Sequence, residues 1–110
     1  MTPEGKVKYK INEVLKAYGK DLYKFMPVPG GFGPSSLDYI LCYRGLFIAI
    51  EAKKLGGKTT ARQNFIIRQI KDAGGKVFVI SNDVDITMLV EFLNWLSEKP
   101  RTPQEVQQWP

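Results

Sequence analysis

DYILCYRGLFIAIEAKK, residues 38–54, consists of two apolar runs broken by Arg44-Gly45, with a carboxylate before the first run and Glu51 and Lys53 ending the second. Short runs rich in Ile, Tyr and Phe, interrupted by a glycine, read as two strands, about 38–43 and 46–53, joined by a tight turn. Successive strand residues face opposite ways, so Phe47, Ala49, Glu51 and Lys53 share one face and Leu46, Ile48, Ile50 and Ala52 the other. If Arg44-Gly45 is a two-residue turn, Tyr43 pairs with Leu46, Cys42 with Phe47, Ile40 with Ala49 and Asp38 with Glu51. Two carboxylates then stand opposite each other, their roots about 4.5–5.5 Å apart, which destabilises a sheet unless something offsets the repulsion. Mg²⁺ or Mn²⁺, each of which prefers oxygen ligands, would offset it. Lys53 alongside could position an attacking water or stabilise charge building on phosphorus. Arg is an uncomfortable residue for a type I′ turn, and a slip by one sets Asp38 against Ile50 instead. Gly45 could equally be the left-handed residue of a three-residue loop with a bulge, and spacing alone is also met by a surface carboxylate at a strand start with an exposed Glu51/Lys53 pair.

The flanking sequence predicts an α/β domain around this hairpin. Thr2-Pro3 is an N-cap followed by a first-turn proline, and Val7, Ile11, Val14, Leu15 and Tyr18 recur at helical spacing up to about Gly19. LYKFMPV, residues 22–28, reads as a short strand, and PGGFGPSS, residues 29–36, as a loop that either lets backbone approach a ligand or simply connects. A second helix is expected over about 60–73, stopped by Gly74-Gly75, then a strand of the buried kind in KVFVIS, residues 76–81. Asp83 caps a third helix whose face is lined by Val84, Met88, Leu89, Phe92, Leu93 and Leu96. The expected order is αβββαβα, one mixed sheet of about four strands flanked by helices, with a parallel crossover through the second helix. Residues 1–99 form this domain, and RTPQEVQQWP after Pro100 is a tail that stays poorly ordered unless Trp109 docks on a partner or a second subunit.

Composition limits the chemistry. The 110 residues suit one domain, and 16 Lys and Arg against 11 Asp and Glu give a net charge of +5, which favours a polyanionic partner. There is no histidine, which removes Ser-His and Cys-His nucleophile systems, His general bases and His-based zinc sites together. The single cysteine, Cys42, rules out an intrachain disulfide or a thiolate metal cluster. Any chemistry falls to carboxylates, Lys, Tyr or a hard metal ion. No apolar stretch approaches the roughly 20 residues that span a bilayer, and the start TPEGKVKYK lacks a signal segment, so a cytoplasmic, non-membrane setting is expected. Leu55-Gly56-Gly57-Lys58-Thr59 looks like the end of a phosphate-binding Walker loop, but that pattern needs glycine at 52, where the chain has alanine.

Asp38, a strand, a short turn and then Glu51-Ala52-Lys53 resemble the bipartite motif of the PD-(D/E)xK nuclease superfamily. The fuller order, Glu4 in an opening helix, Asp38, IEAKK, a Gly-Lys-Thr loop and Thr60-Ala-Arg-Gln63, resembles the VRR-NUC (virus-type replication-repair nuclease) family, including its stand-alone phage-type members; the likeness covers most of residues 3–90. It implies a restriction-endonuclease-like core and a Mg²⁺- or Mn²⁺-dependent endonuclease acting on DNA, with a flap or four-way junction as substrate, in a bacterial or phage-infected cell. Carried over by position, Asp38 and Glu51 are metal ligands, the Ala52 carbonyl a further ligand and Lys53 the catalytic lysine, with Glu4 and Gln63 completing the site. The departure is Leu37, where the superfamily often has proline, a position that shapes backbone and does no chemistry.

Two of these residues have a second reading. Thr60-x-x-Gln63 is also a capping box, although Gln63, Ile66, Ile67 and Ile70 fall on one inward stripe. Glu4 lies one turn before Val7 on the apolar stripe, either as a ligand or as a carboxylate favoured by the helix dipole. Lys6, Lys8, Lys10, Lys54, Lys58 and Arg62 flank these positions and are expected to contact phosphates without reading bases, or to form an ordinary solvated face. The rival readings are a non-catalytic nucleic-acid-binding module and an RNA endonuclease. A domain this small makes a homodimer attractive for a branched duplex.

Overall fold

The computed structural model describes residues 1–28, 36–101 and 104–109, so the loop expected at 29–36 falls outside them except for its last residue. Helix α1 (Pro3–Lys16) starts where the sequence places it: the Thr2 side chain accepts a hydrogen bond from the Gly5 N–H at 2.9 Å. Its stripe buries Ile11 and Leu15, with Val7, Val14 and Tyr18 at the margin of the same cluster. The helix stops before Gly19, which takes a left-handed φ of +57° and opens a 3-10 turn, Gly19–Asp21.

Four strands make one sheet in the order β1-β2-β3-β4: β1 (Leu22–Phe25), β2 (Tyr39–Tyr43), β3 (Leu46–Ala52) and β4 (Lys76–Ile80). The first three are antiparallel and β3–β4 is parallel, joined through α2 (Ala61–Asp72), so the sheet is mixed as expected. Strand β1 is shorter than the expected 22–28, because Pro27 has no N–H to continue a ladder. The hairpin register is the two-residue one, with Tyr43 opposite Leu46 and Ile40 opposite Ala49. Arg44 and Gly45 have φ of +53° and +86°, the left-handed pair that a type I′ turn requires. For arginine that conformation costs about 1–2 kcal/mol. Its guanidinium offsets the cost by donating to the Lys99 carbonyl, from Nε at 2.9 Å and from Nη2.

The larger core lies between one sheet face and the helices α1 and α3 (Asp83–Ser97): Tyr39, Leu41, Ile48, Ile50, Ala52 and Ile80 meet Ile11, Leu89 and Leu93. Burying each such aliphatic side chain contributes about 1.5–3 kcal/mol. On the other face α2 covers a smaller cluster, in which Ile66, Ile67 and Ile70 close over Leu37, Ala49 and Val77.

Three expectations are corrected. Strand β4 is an edge strand with Lys76 and Val79 exposed, since a short continuous apolar run does not tell a central strand from an edge one. The Lys76 ammonium lies 5.2 Å from the centroids of both Phe78 and Phe92, a cation over the apolar margin of an open edge. The N-cap of α3 is Asn82, whose side chain accepts from the Asp85 N–H at 2.8 Å, while the Asp85 carboxylate accepts from the Ser81 N–H at 3.0 Å; Asp83 is the first helical residue. Val84 and Met88 are exposed, and the inward stripe is Ile86, Leu89, Leu93 and Leu96 with Phe92 at its flank. In the tail, a one-turn helix α4 (Gln104–Gln107) precedes an exposed Trp109. Among the described residues no helix is long and apolar enough to cross a membrane.

Candidate active site

The site lies at the end of the sheet where β2 begins and β3 finishes, and where the first turns of α1 and α2 converge. Asp38 stands one residue before β2, opposite Glu51, just beyond the last paired rung, Tyr39 with Ile50. There the ladder gives way to side chains. The Asp38 N–H donates to Glu51 Oε1 at 3.2 Å, and the Ala52 N–H donates to Asp38 Oδ2 at 2.8 Å. Each carboxylate thus accepts from the backbone of the other's strand, and the alternation of β3 turns Glu51 towards α2.

Glu51 is the one charged side chain in the buried class among the described residues, at 4% exposure. Its Oε2 accepts from Gln63 Nε2 at 2.8 Å and lies 3.4 Å from Lys53 Nζ. Burial pushes the Glu51 carboxyl above its ordinary pKa, the neighbouring Asp38 charge pushes the same way, and Lys53 opposes both.

Gln63 serves two structures at once. Its Oε1 accepts from the Thr60 N–H at 3.0 Å and its N–H donates to Thr60 Oγ1 at 3.1 Å, completing the capping box, while the amide nitrogen reaches Glu51. The capping box forms and the amide also faces Glu51, because an amide has an acceptor for one partner and donors for the other.

From the opposite side α1 supplies Glu4, half-buried, whose carboxylate forms a group with those of Asp38 and Glu51 in which one oxygen from each lies within 4.8 Å of the others. One turn further on, Lys8 Nζ stands 3.5 Å from Asp38 Oδ1. The Tyr39 hydroxyl donates to the Lys8 carbonyl at 3.2 Å and holds this part of α1 on the sheet; burial pushes its pKa up to about 12, so it remains a donor.

The structure therefore brings together Glu4, Asp38, Glu51, Lys53 and Gln63. Ala52 contributes its N–H, as the contact with Asp38 shows. Of the predicted basic set, Lys6, Lys8 and Lys10 lie on α1, Lys54 and Lys58 between β3 and α2, and Arg62 in the first turn of α2. Lys8 belongs to the site as a counter-charge to Asp38, which sequence reasoning missed although Glu4 and Lys8 stand at i and i+4 on one helical face. Lys10 instead bridges to Asp83 at 2.7 Å and, with Lys6, borders the junction of α1 and α3. Lys54, Lys58 and Arg62 are exposed along the connection from β3 into α2.

Three carboxylates against Lys8 and Lys53 leave one negative charge. The chain offsets most of its own repulsion, and the remainder suits a cation. An all-oxygen, all-carboxylate donor set matches Mg²⁺ or Mn²⁺ and not the softer metals that take thiolate or imidazole. Compared with protein-family models, with curated proteins and with solved structures, the chain matches none.

Proposed function

We propose that this chain is a metal-dependent nuclease of the PD-(D/E)xK type, close to the VRR-NUC pattern, that hydrolyses phosphodiester bonds in DNA. The observation that carries this reading is the buried Glu51, held against Asp38 and within reach of Lys53 and Gln63, with Glu4 converging from a separate helix. A structural ion pair needs no third carboxylate, and holding a buried carboxylate against a half-buried one is costly unless they serve a ligand. The four-stranded mixed sheet with its parallel crossover is compatible with a restriction-endonuclease-like core.

In this reading Glu4, Asp38 and Glu51 hold Mg²⁺ or Mn²⁺, which when bound supplies a Lewis acid and lowers the pKa of a water. Lys53, fixed beside Glu51, places a positive charge where the phosphorane oxygens become more negative. Gln63 keeps the Glu51 carboxylate oriented through one of its two oxygens. Asp38 is oriented by the Ala52 N–H, and Lys8 neutralises the excess charge at the site until substrate arrives. The net charge of +5 draws the polyanion in, at a rate that falls with salt.

The test is cleavage of labelled linear, flap and four-way-junction DNA, and of a matched RNA, in Mn²⁺, Mg²⁺ or EDTA, by wild type and Glu51→Ala. Expected is metal-dependent cutting of DNA lowered at least a hundredfold in the variant, on the order of the effect of losing a transition-state contact. If both proteins bind DNA alike and neither cuts, the chain is a binding module; cutting confined to RNA reassigns the substrate.

A further inference from the structure

The sheet face that carries the carboxylates is only half covered. Helix α2 closes over Ala49 and Val77, on β3 and β4. Among the described residues no element covers the same face over β1 and β2, and the register sets its residues in rows. Tyr23, Cys42 and Phe47 form one row, Phe25, Ile40 and Ala49 the next, and the Asp38/Glu51 pair follows directly. Tyr23 is 62% exposed, Phe25 49% and Phe47 43%, which is unusual for three aromatic rings on one face of a small sheet. Neither row contains a charged side chain. At the far end Phe47 borders a groove of about 380 Å³ against Gln69, Ile70, Ala73 and Gly75, along the foot of α2.

We propose that this open half-sheet is a stacking platform for an unpaired strand of the substrate, leading it into the carboxylate site; the proposal rests on the nuclease reading above. Exposed rings without charges bind bases through their π faces whatever the sequence, each stacked base contributing substantially to affinity. Rows two residues apart are separated by about 7 Å. That is about twice the 3.4 Å spacing of stacked nucleotides in a duplex strand, so a strand lying along the rows has its bases unstacked. A duplex, with its base faces occupied, gains nothing here. The alternative occupant is a second copy of the chain, but two surfaces of molecules each carrying +5 repel, whereas a polyanion is attracted. In the register, one step along β2, from Ile40 to Asp38, separates the Phe25 row from the Asp38/Glu51 pair, so a strand stacked on Phe25 is led towards the carboxylates.

Cys42, the single cysteine of the chain, is exposed in the middle of the outer row and reports on the platform directly. In EDTA, where nothing is cleaved, its rate of alkylation by N-ethylmaleimide is measured with oligothymidylate, with a blunt duplex of equal length, and without DNA. The expected result is about tenfold protection by saturating single strand and none by duplex. Affinity for oligothymidylate should fall about tenfold in Phe25→Ala and in Phe25→Leu, which keeps an apolar side chain without a ring, and should return in Phe25→Trp. The proposal is overturned if single strand does not bind, binds without protecting Cys42, or binds Phe25→Leu as tightly as wild type. Alkylation that slows with protein concentration in the absence of DNA also overturns it, making the face a contact between copies. Cleavage of duplex with no protection of Cys42 removes the platform and leaves the nuclease. Protection without cleavage of any substrate removes the nuclease and keeps a surface for single strands.

Discussion

Glu51 is the one buried charged side chain among the described residues, and the cost of its charge depends on pH. Burial and Asp38 raise its pKa in the fold above the ordinary 4.5, with Lys53 opposing and Gln63 donating to the same oxygen. Between those two values the folded chain binds the proton more tightly than the unfolded chain, so stability falls as pH rises through that window. Below 4.5 both states are protonated and the penalty is absent; above the raised pKa it is complete. In metal-free buffer the melting temperature of the wild type should therefore drop relative to Glu51→Gln as pH is raised from about 4 to 7. Thermal melts of both proteins across that range check it, and parallel curves would show that Glu51 titrates normally. The opposition of Asp38 and Glu51 was legible in the sequence as one of two registers, and the left-handed φ of Arg44 and Gly45 decides between them. The role of Lys8 was not read, since a lysine on a solvated helix looks the same whether or not a carboxylate from another strand comes to meet it.

The start of α2 joins the helix cap to the carboxylate cluster. Thr60 and Gln63 cap the helix reciprocally, and the same cap fixes the amide that holds Glu51. Thr60→Ala should cost about 1 kcal/mol, a fall of a few degrees in melting temperature for a domain of this size. Thr60→Ser should restore most of it. Unchanged melting in the alanine variant, followed by circular dichroism, would mean that the cap contributes nothing. Elements were read correctly where local chemistry is decisive, as at Thr2-Pro3 and Gly74, the latter with φ of +95°. They were misread where two local candidates compete or where packing decides. Asn82 and Asp83 are both good caps, and the choice follows from Asp85 reaching back to Ser81. Val84 and Met88 match the helical period, but the sheet ends at β4 and offers that flank of α3 nothing to pack against.

Across the whole molecule, the fold acts as a frame that directs groups from four segments to one end of the sheet. A divalent ion that binds there binds only the folded chain. Mn²⁺ at a hundred times its dissociation constant should add about 2.7 kcal/mol of stability and raise the melting temperature of wild type, with no rise in Glu51→Ala. A rise that survives the substitution, in scanning fluorimetry or calorimetry, would place the ion elsewhere. The overall architecture was legible because each element has its own periodicity. The open half-sheet was not, because the exposure of Tyr23, Phe25 and Phe47 depends on how far α2 extends across the strands. The hairpin also bears on the order of folding. Asp38 and Glu51 are 13 residues apart and meet as soon as β2 and β3 pair, whereas Lys8 lies 30 residues from Asp38 and arrives only with long-range docking of α1. Hairpins close within about 1–10 μs, well ahead of non-local contacts. Pairing of the hairpin before α1 docks would juxtapose the two carboxylates ahead of Lys8, and stopped-flow refolding should then be faster in Glu51→Gln than in wild type, with unfolding little changed.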